Sequence, residues 1–244
     1  VIVSAWLDLS ITATCHQSGL DGRYPVRGVF EYWITPSSPS KDSATILASG
    51  TIQNVTLHGS AATHHLGQVL LTDARLWWPH TYSTRERQPL YSVHVAFRSY
   101  GTGEANSSYH ESQARTNIGI RTISSFVHPQ TKSFALKVNG HPVFLAGGNW
   151  IATDQFLRYS DSPQRYLQEL SMLRHAGFSS VRVWGGGVAE TSHFYDSADA
   201  LGLLVYQEFW MTGDLNGRFA GSYDWPNDHD SYLANARDVI KRLR

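Results

Sequence analysis

A chain of 244 residues, 41% apolar and only 16% charged, has room for two domains of ordinary size and enough apolar side chains to fill their cores, which excludes whole-chain disorder. Formal net charge is zero and the twenty Lys and Arg residues are scattered, so no basic face offers itself to a nucleic acid. No run of about eighteen apolar residues occurs, and no helical membrane span is expected.

Val1 to Trp6 lack the charged start and cleavage site of a secretory leader, and the chain reads as an interior piece of a longer protein. From Ala5 to Cys15 apolar residues alternate with Trp6, Asp8, Ser10, Thr12 and Thr14, a period of two that predicts a half-buried strand. Cys15 is the single cysteine, so no internal disulfide forms, and a buried thiol is expected. Further strands are predicted near Val29 to Ile34, Ala44 to Leu57, Leu66 to Leu71 and Tyr91 to Phe97, with a turn-rich stretch at Thr35 to Ser43. His64 and His65 are expected on a solvated strand edge, and Trp77-Trp78-Pro79 in packing. Short strands with punctuating turns, and no helical period before about residue 160, suggest an immunoglobulin-like β-sandwich over residues 1–122. The sequons at Asn54-Val55-Thr56 and Asn106-Ser107-Ser108 lean towards a secretory, vacuolar or lysosomal route.

Residues 123–244 change character. Phe134 to Val138 alternates, Asn139-Gly140 suits a type I′ hairpin turn, and Pro142 to Ala146 resumes as a strand. Ser162 and Pro163 open a helix with Tyr166, Leu170 and Leu173 on one face and Gly177 at its end. A strand at Ser179 to Trp184 follows, then a helix carrying Phe194, Ala198 and Leu201 and stopped by Gly202. Leu203 to Tyr206 is a continuous apolar run suited to a parallel strand. A last helix after Asp228-His229-Asp230 is predicted to carry Leu233, Ala236, Ile240 and Leu243 on one face. Strands alternating with helices open either a βα barrel or a doubly wound sheet, and period alone does not choose. Three βα units fall short of the ~250 residues of a closed eight-stranded barrel, so a truncated barrel is expected; a small open sheet complete in itself is the alternative.

Functional residues of either architecture belong at the carboxyl ends of the strands. Three clusters are expected there: Gly147 to Asp154, with Asn149 and Trp150; Arg182-Val183-Trp184 running into Gly185-Gly186-Gly187; and Gln207-Glu208-Phe209-Trp210 continuing to Gly213-Asp214. Each joins a Trp to hydrogen-bonding groups, the pairing a pyranose needs for its C–H face and its hydroxyls. The plainer alternative is that the glycines permit tight turns and the Trp residues cap a core. The triple glycine lacks the spacing and Lys of a P-loop, and the acidic residues around His229 suit a helix N-terminus as readily as a metal. No zinc spacing and no serine or cysteine nucleophile motif occurs, and neither cofactor nor metal is expected.

These residues resemble a known family. Gly119-Ile120-Arg121, Phe134 to Gly140 and Gly147-Gly148-Asn149-Trp150 resemble the sandwich-to-barrel junction of family 2 glycoside hydrolases, and Leu76-Trp77-Trp78-Pro79 with Gln88-Pro89-Leu90-Tyr91 resembles their sandwich signature. Arg182 to Gly187 is similar to the β-mannosidase branch, and Gly202 to Asp214 to the plant-type mannosylglycoprotein endo-β-mannosidases, with Tyr206 where a Trp is more usual. Asp228-His229-Asp230 and Ala236-Arg237-Asp238 also fit that subgroup.

The resemblance implies retaining hydrolysis of β-mannosidic linkages, Manβ1-4GlcNAc of N-glycan cores. It implies that both catalytic Glu residues follow Arg244, so that no catalytic residue lies in this chain, and that a leading jelly-roll domain is missing. It implies substrate-binding roles for Trp150, Asp154 and Trp184, with Arg182 steadying the nucleophile; Asn149, Glu208 and Trp210 are expected to bind substrate from their place in the strand-end clusters, Glu208 either directly or by supporting a residue that does. The partner is then a β-mannoside or N-glycan, with the rest of the polypeptide or a second chain completing the barrel. The alternatives are an exo-acting β-mannosidase, an exo-β-D-glucosaminidase, and a non-catalytic carbohydrate-binding fragment.

Overall fold

The computed structural model describes residues 2–13, 25–37, 45–59, 61–82, 88–100, 111–152, 154, 156–158, 161–211 and 226–243. It divides into two compact units, Val1–Trp77 with Pro89–Thr122, and Trp78–Gln88 with Ile123–Arg244.

The first unit is a sandwich of two antiparallel sheets. One pairs β1 (Ile2–Ala13) with β4 (Ala62–Arg75); the other runs β3 (Ala48–Leu57), β2 (Val26–Pro36), β5 (Tyr91–Ser99), β6 (Glu111–Ile118). The alternation expected in β1 is observed, with Ala5, Leu7, Leu9 and Ile11 half-buried and the residues between them exposed. Two clusters fill the space between the sheets. Phe30, Val55, Leu57, Leu66, Val95 and Phe97 form one, and Ile34, Val69, Leu71, Ala74, Tyr91 and Val93 the other. Trp77 is buried beneath the Arg121 guanidinium, 4.6 Å from its ring. His64 departs from the solvated edge expected of it, because β4 is longer than its apolar run and brings the imidazole against Phe30 at 5.5 Å. Cys15 lies outside the described residues. β6 has no period-two signal because its residues are almost all polar and exposed.

The second unit begins with the antiparallel sheet β7 (Ile123–Val127), β8 (Phe134–Val138), β9 (His141–Val143). The turn between β8 and β9 is the Asn139-Gly140 pair, both at positive φ (51° and 79°), as a type I′ turn requires. β10 (Gly147–Trp150), β11 (Ser180–Val183) and β12 (Leu204–Gln207) then form a parallel sheet in that order. The first parallel strand is thus Gly147–Trp150 itself, whereas Pro142 and Val143 belong to the hairpin. Glycine weakens a strand by composition and hid this one, yet Gly147 is required here: a Cβ would stand 2.0 Å from the Ser180 carbonyl oxygen.

α1 (Pro163–His175) starts on Ser162, whose hydroxyl accepts the Arg165 N–H, and has Pro at its first turn. α2 (Ser192–Leu201) ends on Gly202 in the left-handed conformation. Both helices pack on one face of the parallel sheet, through Tyr166, Leu170, Phe194 and Ala198 against Trp150, Val181, Val183 and Leu203. α3 (His229–Leu243) buries no residue fully, and the stripe expected of it is displaced. Tyr232, Ala236, Val239 and Leu243 are the half-buried positions, while Leu233 and Ile240 are exposed. The helix carries two apolar faces, and period alone does not say which one packs. No helix among the described residues is long and apolar enough to cross a membrane.

Candidate functional site

Register fixes what each strand end presents. Asn149, Arg182 and Tyr206 lie side by side across the parallel sheet, as do Trp150, Val183 and Gln207 one step further. Successive side chains alternate between faces, so the first row occupies the face opposite the helices. There the Arg182 Nε and Nη2 both donate to Glu208 Oε1, at 2.8 and 2.5 Å, and Nη1 donates to Asn149 Oδ1 at 2.8 Å. The second oxygen of Glu208 accepts the Gly185 N–H at 2.7 Å. Three bonds spread over three nitrogens leave one N–H on each terminal nitrogen of the guanidinium for a further acceptor.

The loop after β11 is shaped by this approach. A Cβ at Gly185 would fall 2.0 Å from the Met211 carbonyl oxygen, so only glycine lets residues 208–211 come this close to the turn. Trp184 is half-buried, its ring folded over Gly186. Trp210 is half-buried at φ 36°, an uncommon conformation for an aromatic residue, and packs edge-on against Phe209 and Tyr232. Beside it, Val188, Ala189, Trp210, Asn235, Asp238, Val239 and Arg242 line a cleft of 390 Å³.

Of the seven residues expected to bind substrate, the structure joins Asn149, Arg182 and Glu208 in one network, puts Trp184 and Trp210 in the segments after β11 and β12, and gives Trp150 and Asp154 other partners. Trp150 is turned to the helix face, 8% exposed, packed on Phe194 at 4.9 Å, with its indole N–H on Glu190. The ring is enclosed in the layer between sheet and helices, on the face opposite Asn149 and Arg182. Asp154 pairs with Arg158 at 2.6 Å and accepts the Phe156 N–H at 3.0 Å. The hydrogen bond from Arg158, more than any other cause, holds its carboxyl below the usual aspartate range. Gly213 and Asp214 lie outside the described residues. Asp228 caps α3, accepting the Ser231 N–H at 2.9 Å and its hydroxyl at 2.7 Å. Among the described residues no group of three or more His, Cys, Asp or Glu could hold a metal ion.

Two of the comparisons with known proteins find similar chains. The chain is 40% identical over 171 residues to the mannosylglycoprotein endo-beta-mannosidase of Lilium longiflorum, covering 69% of this chain and 17% of the relative. It is 36% identical over 172 residues to beta-mannosidase B of Neosartorya fischeri, covering 69% and 18%. The chain belongs to the β-mannosidase branch of the family 2 glycoside hydrolases. It spans less than a fifth of the length of these curated relatives. Its fold is shared with the crystal structure of beta-D-mannosidase from Dictyoglomus thermophilum, at TM-score 0.66 and 22% identity over 99% of this chain and 26% of that one. No family model matches the chain.

Glu190 is the residue that sequence reading missed. It is 3% exposed, and its carboxylate accepts hydrogen bonds from Trp150 and Tyr166. A lone Glu shortly before a helix reads as a helix-start preference, and only its burial marks it out.

Proposed function

We propose that this chain forms part of the substrate-binding end of a retaining β-mannoside hydrolase. Residues 1–122 would be its immunoglobulin-like domain and residues 123–244 the first three βα units of an eight-stranded barrel. The observation that carries the reading is the Asn149–Arg182–Glu208 network at the carboxyl ends of adjacent parallel strands, where barrel enzymes assemble their sites. The half-buried rings of Trp184 and Trp210, in the loops that follow two of these strands, supply aromatic faces beside the polar groups. The linkage would be Manβ1-4GlcNAc of N-glycan cores; the lily relative's name, a mannosylglycoprotein endo-beta-mannosidase, supports a mannose-bearing glycoprotein as substrate.

In retaining hydrolysis one carboxyl group protonates the glycosidic oxygen while a second, about 5 Å away, attacks the anomeric carbon. Water then cleaves the glycosyl-enzyme, with the first group now acting as base. Both carboxylates belong to the part of the relatives' length that this chain does not span, supplied by the same polypeptide or a second chain. Arg182 keeps one N–H on each terminal nitrogen for such a carboxylate; a cation beside a carboxylate lowers its pKa and keeps it ionised for attack. Glu208 has one oxygen on the Arg182 fork and the other on a backbone N–H, which suits it to hold Arg182.

The test is turnover of an aryl β-D-mannopyranoside by the full-length protein and its Arg182→Ala variant. Removing a preorganised cation from the developing charge is expected to lower kcat on the order of 100-fold or more. An unchanged kcat removes Arg182 from the site, and hydrolysis of the aryl β-glucosaminide alone replaces the sugar. Residues 1–244 by themselves are expected to show no turnover, and activity there would overturn the division of labour.

A further inference from the structure

We propose that Glu190 is a positioning residue that clamps the ends of β10 and β12 and through them fixes Arg182. Its catalytic consequence rests on the glycosidase reading; its structural consequence rests on geometry alone.

Asn149 and Trp150 are neighbours at the end of β10, and alternation turns them to opposite faces of the sheet. The face opposite the helices is closed by the Asn149–Arg182–Glu208 bonds described above. A second set of bonds closes the helix face. Glu190 Oε1 accepts the Trp150 indole N–H at 2.8 Å, and Oε2 accepts the Tyr166 hydroxyl at 2.6 Å. The Glu190 N–H donates to the Tyr195 oxygen at 3.2 Å, and that hydroxyl donates to Gln207 Oε1 at 2.6 Å. Gln207 Nε2 then donates to the Glu208 carbonyl at 2.7 Å. The two sets share their ends: Asn149 is bonded covalently to Trp150, and Gln207 to Glu208. Together they make a closed circuit around the strand ends, and Arg182 sits in the open half of it.

The chemistry of Glu190 suits this place. Two buried donors arrive from different elements, β10 and α1, and a carboxylate offers an acceptor oxygen to each. Out of water such bonds are stronger, and losing the acceptor strands both donors. Burial, the largest influence on Tyr195, pushes its phenol above the ordinary value, so it remains a neutral donor to Gln207. A leucine would fill the same volume and hold neither strand end.

The test compares Glu190→Leu, Glu190→Gln and Trp150→Phe in the full-length protein, by crystal structure and by turnover of the aryl β-mannoside. A misplacement of ~1 Å at a reacting centre costs ~100-fold, so Glu190→Leu is expected to lose roughly 10- to 100-fold in kcat, with KM little changed. In its crystal structure the Arg182–Asn149 bond should open. Glu190→Gln keeps an acceptor for the indole and an N–H for the Tyr166 oxygen, and should recover most of the loss. If Glu190→Leu does not fold, Trp150→Phe decides: it keeps the ring and the carboxylate, and should still lower kcat several-fold. Wild-type kcat and an intact Arg182–Asn149–Glu208 network in the folded variants would overturn the proposal. A wild-type protein that cleaves no β-mannoside would sink the glycosidase reading, and the variant crystal structures would then decide the positioning role alone.

Discussion

The sandwich and the βα unit bury their apolar residues in different ways. In the sandwich each sheet covers the other, and Phe30, Ile34 and Leu71 are enclosed within the unit. In the second unit the parallel sheet is covered on its helix side, where Val181 and Val183 are buried, while Tyr206 stands 57% exposed in the row of Asn149 and Arg182. Phe134 and Phe144, in and just after the neighbouring hairpin, are 71% and 86% exposed. Parallel sheets are ordinarily covered on both faces. Among the described residues, then, the sandwich closes its apolar residues between its own sheets, and the parallel sheet has helices over one face while the other carries the polar network.

Substitutions can break this comparison, and the largest effect is expected at the sandwich core. Phe30→Ala empties a site that is 1% exposed between two sheets and should cost about 3–5 kcal/mol in denaturant unfolding. Leu170→Ala, at 0% exposed between α1 and the parallel sheet, should cost about 2–5 kcal/mol. If the units fold separately, each change moves its own transition; one transition displaced by both would make the molecule a single cooperative block. Phe144→Ser should alter stability by no more than about 0.5 kcal/mol while reducing self-association, since an exposed apolar ring promotes contact between copies. A loss of several kcal/mol would show that Phe144 is covered.

The smallest effect is expected at the first turn of α3. Hydrogen bonds from Ser231, backbone first and hydroxyl second, hold the Asp228 carboxyl below its ordinary value. A folded pKa below the unfolded one means that the stabilisation is complete above the ordinary aspartate range and is lost as pH falls through the depressed value. The carboxyl signal of Asp228 should therefore titrate below that of a solvated aspartate in a carbon-13 pH series. A midpoint at or above the solvated value would rule out the cap.

Much of the fold was legible in local pattern. The alternation in β1, the Asn139-Gly140 turn, the Ser162-Pro163 helix start and the Gly202 stop all act within a few residues, and the structure has them where the sequence places them. The polar strand β6 and the glycine-led strand β10 were not, because pairing with a neighbour makes them strands and composition does not. The contacts of His80 within the second unit were equally out of reach. His80 donates its N–H to the Gly202 carbonyl and meets the Phe178 carbonyl with its ring, contacts about a hundred residues away in the chain.

For the site, the sequence by itself determined which residue types gather at the strand ends: Asn and Trp after one glycine pair, Arg before another glycine run, Gln and Glu at the close of an apolar run. Only the tertiary structure decided which member of each pair faces the open side. Trp150, the more conspicuous residue, turned inward, and Asn149 remained with Arg182 and Glu208. Strand alternation requires neighbours to separate, but the choice of face depends on what the helices bury. That choice is made by partners 24 to 40 positions distant, Tyr166 and Trp150 meeting on the carboxylate of Glu190.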